Sequence, residues 1–98
     1  MSMAVWQYTT ATYALSDTDY AVRRFGTCGT ITFPDASTCV GRVYIIINSH
    51  GTASNVTLTP SGAQIVYDDV TNTTYTSLVP NKRLTVQSDD TNWIVIGQ

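Results

Sequence analysis

Glutamate is absent from this chain, and only five lysines and arginines stand against seven aspartates, so charged residues make up just 12% of it. That is about half the share usual in a globular domain. The missing residues are the straight-chain helix formers. No stretch repeats apolar residues at helical spacing over three turns, which excludes an ordinary amphipathic helix. Apolar runs are short as well: none approaches the roughly 18 residues a membrane helix needs. No charged start followed by an apolar block marks a signal peptide, so the sequence reads as that of a soluble protein. Five basic residues and a net charge of −2 leave no footprint for nucleic acid or an anionic membrane. Arg23-Arg24 and Lys82-Arg83 read as isolated pairs.

Chemistry is scarce in the same way. There is one histidine, His50, in a turn next to Gly51, and two cysteines, Cys28 and Cys39. A thiol or acyl-transfer enzyme needs a nucleophile with a base oriented beside it, and no reactive local motif surrounds either cysteine. Cys28, Cys39 and His50 make three ligands at a spacing that matches no zinc finger. The sequence therefore points to no metal, no cofactor and no catalytic residue. Two cysteines are too few to argue a disulfide framework. If Gly29 to Phe33 is a strand and Pro34 to Thr38 turns the chain back, the Cys28 and Cys39 sulfurs can meet as a disulfide. Two inert buried thiols are the other reading. The pairs Asp17/Asp19, Asp68/Asp69 and Asp89/Asp90 each fall between expected strands, where aspartate serves turns, so turn chemistry outweighs a glycosidase or calcium reading. The glycines are scattered over strand-to-strand turns rather than opening a helix, which leaves no phosphate cradle. Asn55-Val56-Thr57 and Asn72-Thr73-Thr74 fit the glycosylation pattern, which a Thr-rich chain produces by chance.

What the chain does have is β-branched and aromatic residues in short runs. Thr, Val, Ile and Tyr lose rotamer freedom in a helix and pack well on a pleated surface. The 98 residues have room for one domain of about the usual size. Strands are expected over Tyr20–Phe25, Thr30–Phe33, Arg42–Asn48, Asn55–Thr59, Ala63–Tyr67, Thr73–Leu78, Lys82–Gln87 and Asn92–Ile96. Residues 1–12 read as an N-terminal strand or attachment segment. Eight or nine short strands broken by Gly, Pro, Asn and Asp at regular intervals indicate an all-β fold, a compact antiparallel sandwich or barrel.

Two of these strands break the in-out alternation. Val43-Tyr44-Ile45-Ile46-Ile47 and Trp93-Ile94-Val95-Ile96 are apolar at every position. Burying one such side chain is worth roughly 1.5–3 kcal/mol, and leaving several wet costs a small domain much of its margin. Either loops or the N-terminal segment Ala4-Val5-Trp6 fold over the second face, or copies of the chain share it. Trp6, Tyr44, Ile45, Ile46, Ile47, Trp93, Ile94 and Ile96 are therefore the candidates for core or self-association. A free carbohydrate-binding module is the competing reading, since six tyrosines and two tryptophans can stack on sugars when exposed along a groove.

The order of the pieces resembles a β-rich domain that recurs in bacteriophage tail-fibre, head-fibre and related virion proteins. The matching residues are Asp19-Tyr20-Ala21-Val22, Gly29-Thr30-Ile31-Thr32, Pro34-Asp35-Ala36-Ser37 and Gly41-Arg42-Val43-Tyr44-Ile45-Ile46. They continue with Val56-Thr57-Leu58-Thr59-Pro60-Ser61-Gly62, Leu78-Val79-Pro80-Asn81 and Val86-Gln87-Ser88-Asp89-Asp90-Thr91-Asn92-Trp93. The resemblance covers most of the chain from Tyr13 onward and implies a structural or adhesive role in a virion, in trimers. Its implied partners are further copies of itself, other virion proteins and a host-surface glycan, and it brings no catalytic residue. Asp90 stands where the pattern has glycine, so a last turn of different shape is expected. Cys28 and Cys39 are outside the pattern. Almost nothing precedes the domain, which suits an excised fibre tip or a free-standing capsid decoration.

Overall fold

The computed structural model describes residues 3–6, 12–24, 29–49 and 55–98. Eleven strands run through them: β1 (Met3–Trp6), β2 (Thr12–Ala14), β3 (Ala21–Arg24), β4 (Thr30–Thr32), β5 (Val43–Asn48), β6 (Val56–Thr59), β7 (Val66–Asp68), β8 (Thr73–Tyr75), β9 (Ser77–Leu78), β10 (Lys82–Ser88) and β11 (Trp93–Gly97). A single 3₁₀ turn over Ala36–Thr38 is the only helical element among the described residues. The all-β expectation holds, with strands more numerous and shorter than the eight or nine expected.

The strands form two sheets, not a closed barrel. A seven-stranded sheet has the order β1-β3-β5-β10-β11-β7-β8, and a four-stranded sheet has the order β2-β4-β6-β9. Both sheets feed one core, with Val22, Tyr44, Ile46, Leu84, Val86, Trp93 and Val95 from the larger and Ile31, Val56, Leu58 and Leu78 from the smaller.

The antiparallel expectation is corrected. β1/β3, β3/β5, β7/β11, β2/β4 and β4/β6 are parallel, while β5/β10, β10/β11, β7/β8 and β6/β9 are antiparallel. The cause lies in the connections. From β1 to β6 each strand is followed by one in the opposite sheet, so the chain winds as a two-sided coil and strands that neighbour in a sheet share a direction. Turn residues such as Ser16 to Asp19 do reverse the chain, but into the other sheet rather than into a hairpin. Sequence chemistry marks a reversal without saying which layer receives it.

The second half closes the coil with hairpins. β7 and β8 pair across the turn at Asp69–Asn72, and the expected strand Thr73–Leu78 splits at Thr76, where the chain crosses to the small sheet. Pro80 and Asn81 then return it. Proline fixes the backbone ahead of Asn81, which takes the left-handed conformation at φ +68° that asparagine tolerates in turns. β10 enters between β5 and β11, and buried Asn48 ties the layers together by donating from Nδ2 to the Leu78 carbonyl at 2.9 Å. The segment expected either to cover the apolar face or to form an N-terminal strand contributes β1, which extends the large sheet in its own plane beside β3.

Candidate functional site

The aromatic candidates separate cleanly. Tyr44 and Trp93 are fully buried, and with Phe33 they form a packed trio, ring centroids 5.2 Å apart for Tyr44–Trp93 and 5.5 Å for Phe33–Trp93. Trp93 Nε1 donates to the Pro34 carbonyl at 3.2 Å, and the Tyr44 hydroxyl donates to the Ser16 carbonyl at 2.8 Å. Burial pushes the Tyr44 phenol above its ordinary pKa, opposed by its hydrogen bond with the Arg42 guanidinium. Ile46 joins them in the core. These three of the eight candidates thus serve the inside of the protomer. The Trp6 side chain, Cys28 and His50 lie outside the described residues. Cys39 is a free thiol, half-buried against the core, with its Sγ donating to the Asp35 carbonyl at 3.5 Å.

The motif pieces far apart in sequence meet at one end of the sandwich. Ser88 Oγ donates to the Ala36 carbonyl at 2.6 Å, the Ala36 amide donates to Gln64 Oε1 at 2.9 Å, and the Ile65 amide donates to Asn92 Oδ1 at 3.0 Å. Asp35 caps the 3₁₀ turn. Its carboxylate accepts from the Ser37 hydroxyl, the Ser37 amide and Gln64 Nε2, and these donors hold its pKa below the ordinary value. Asp89 Oδ1 accepts from the amides of Thr91 and Asn92, and Asp90 adopts φ +83°. The last turn therefore keeps the left-handed residue expected of glycine, with aspartate carrying the strain. Asp68 and Asp19 do likewise: Asp68 accepts from the amides of Val70 and Thr71, and Asp19 from the Ser16 amide and the Tyr13 hydroxyl. Among the described residues no three metal-ligating side chains come together.

The remaining isoleucines form a surface. β5 alternates strictly, its even positions Tyr44, Ile46 and Asn48 buried and its odd positions Val43, Ile45 and Ile47 half-buried. On that outer face Ile45 lies between Ala21 and Thr85, and Gln87 lies between Val43 and Ile94. Ile94 pairs in turn with Tyr67. Ile96 sits where the β10/β11 register slips, 54% exposed, and Val70 beside it is 88% exposed. A sheet face that met only water would carry polar residues at these alternate positions. Here β5 and β11 carry isoleucine and valine at those positions, while β10 between them carries Arg83, Thr85 and Gln87.

Register also assembles a feature that sequence reasoning treated as two separate pairs. Arg23 lies across Ile47 from Arg83, and Arg24 across Asn48 from Lys82. Four of the five basic residues therefore gather where β3 and β5 end and β10 begins. Asp17, Asp19, Asp35, Asp89 and Asp90 sit in loops at the opposite end. An open groove of about 570 Å³ lies at the basic end, lined by Ile47, Ser49, Asn81, Lys82, Arg83 and Gln98. Neither the Lys82 nor the Arg83 side chain has a hydrogen-bond or ion-pair partner among the described residues. The signal was present in the sequence as two basic pairs, but only the β3–β5–β10 register reveals that they meet.

No family model, curated protein or solved structure matches the chain.

Proposed function

We propose that this chain is a non-enzymatic structural protein of a bacteriophage virion, a fibre tip or capsid-surface fibre or decoration, built from copies that associate through the outer face of the large sheet. The observation that carries the reading is that face: Val43, Ile45, Ile94 and Ile96 stand on the side of the sheet away from the core, with Ile47 at its edge beside the groove. Each half-buried isoleucine gains further burial when a second copy covers it, and a closed symmetric assembly lets every copy cover its own. The resemblance supplies the kind of assembly and its trimeric stoichiometry. Its motif pieces support the reading because they pack against one another as a unit rather than lying scattered. Burial of Tyr44 and Trp93 favours this role over a free carbohydrate-binding module, which needs such rings along an exposed groove.

The test is direct. Mass spectrometry of purified particles should find the polypeptide at a stoichiometry fixed relative to the major capsid or tail proteins, and immunogold labelling should place it on the particle surface. Particles free of it would overturn the proposal.

A further inference from the structure

We infer that the groove at the basic end binds the anionic group of an acidic sugar, a carboxylate carried on a surface polysaccharide. The description of that sugar as part of a host surface rests on the virion reading, whereas the binding itself does not. The geometry is specific in three respects. Two cations, Lys82 and Arg83, flank the groove without partners among the described residues, so each can give a charge-assisted hydrogen bond to a carboxylate. Around them stand the Ser49 hydroxyl and the amide side chains of Asn81 and Gln98, groups of the kind that orient sugar hydroxyls. Ile47 offers apolar surface for the face of a sugar ring.

The volume of about 570 Å³ falls within the range of small-ligand clefts and suits one or two sugar rings. The rest of the molecule argues against a long polyanion. The chain is acidic overall, and five of its carboxylates line the opposite end. A nucleic acid would need a basic track along its backbone, and the cations here end at one edge. Gln98 links the groove to Asp68: its Nε2 donates to Asp68 Oδ2 at 3.2 Å while the residue also lines the groove.

The experiment is a titration of the intact protein with a short oligogalacturonate, followed by amide chemical shifts and by calorimetry. The comparisons are a maltooligosaccharide of equal length, inorganic phosphate and a single-stranded oligonucleotide. Saturable binding of the oligogalacturonate is expected, weakened by added salt, with shifts concentrated at Ser49, Asn81 to Arg83 and Gln98. The double variant Lys82→Gln/Arg83→Gln should bind about tenfold more weakly or worse. Both residues are exposed, so its melting temperature should match the parent's, and Arg83→Lys should retain part of the affinity. Absence of saturable binding, equal binding by the double variant, or equal binding of the neutral sugar, free phosphate or oligonucleotide would each overturn the assignment. If the groove fails while particles contain the protein, only the groove is lost. If the groove binds and particles lack the protein, only the virion reading is lost.

Discussion

Replacing Ile96 by aspartate separates folding from assembly more sharply than any other single change. Ile96 is 54% exposed, so covering it in a contact between copies removes about half its surface from water. Full burial of such a side chain contributes roughly 1.5–3 kcal/mol, which puts the contact's share at about 1 kcal/mol. An aspartate in its place also takes a carboxylate into an apolar contact, at a cost of several kcal/mol unless water re-enters. Taking about 3 kcal/mol in total as a low figure, the dissociation constant between copies rises by about 100-fold. Folding should change much less, because over half of Ile96 already meets water in the single copy and substitutions of exposed residues usually change stability by about 0.5 kcal/mol. Sedimentation velocity over the micromolar range should show the parent as an oligomer and Ile96→Asp shifted towards monomer, with superimposable urea unfolding curves at low concentration. A parent that stays monomeric at high micromolar concentration refutes the reasoning. So does a variant that assembles as tightly as the parent.

Three further outcomes follow from the same geometry. Trp93→Ala, which empties the centre of the aromatic trio and leaves the Pro34 carbonyl without its donor, should cost about 3–5 kcal/mol of the roughly 5–15 available to a domain of this size; a urea-derived loss near 1 kcal/mol would contradict the packing. Asp90→Gly, at φ +83°, should raise stability by about 0.5–1 kcal/mol and the melting temperature by a few degrees, and a lower melting temperature would mean the aspartate side chain matters more than its backbone. For Tyr44 the folded pKa lies above the unfolded value of 10.0, so its contribution is intact below about pH 10 and fades as pH rises from there through the folded value. Tyr44→Phe loses the bond to the Ser16 carbonyl, about 0.5–1.5 kcal/mol at neutral pH, but should lose less additional stability between neutral and strongly alkaline pH than the parent does. Parallel alkaline losses in urea titrations would count against this account.

Local chemistry was legible in the sequence and layer assignment was not. The β-branched runs and the turns at Asp68-Asp69 and Ser88 to Asn92 each follow from residues within a few positions of one another, whereas the different last turn expected from aspartate at position 90 is not found: Asp90 takes the left-handed conformation itself. The two-sided coil does not follow locally, because a reversal at Ser16 to Asp19 has the same turn residues whether the next strand lies alongside or across the core. The split of the apolar strands shows the same limit. Tyr44 and Ile45 are equally apolar neighbours, and strand alternation fixes only that they point to opposite sides. Which side faces the small sheet depends on β10, some forty residues further along, which pairs Leu84 with Ile46 and Val86 with Tyr44 and so sets the inner rows. The basic end was hidden for that reason too: Arg23 and Arg83 are far apart in the chain and become near neighbours only through Ile47 between them.

The placement of the two surfaces also limits how they can be used together. The isoleucine-bearing face lies on the flank of the sandwich, whereas the basic groove and the acidic loops lie at opposite ends of the strands. Association through Val43, Ile45, Ile94 and Ile96, with Ile47 left to the groove, would leave both ends open, and in a cyclic assembly all basic ends point the same way. A groove with two cations and a handful of amides binds one anionic sugar weakly, but several such grooves facing one side meet neighbouring sugars of a polysaccharide at high effective concentration. Contact through the ends instead, acidic loops against basic groove, would neutralise Lys82 and Arg83 and close the groove, while leaving the isoleucines wet. The apolar flank therefore favours the lateral arrangement, and the lateral arrangement is the one in which a weak groove can hold a surface.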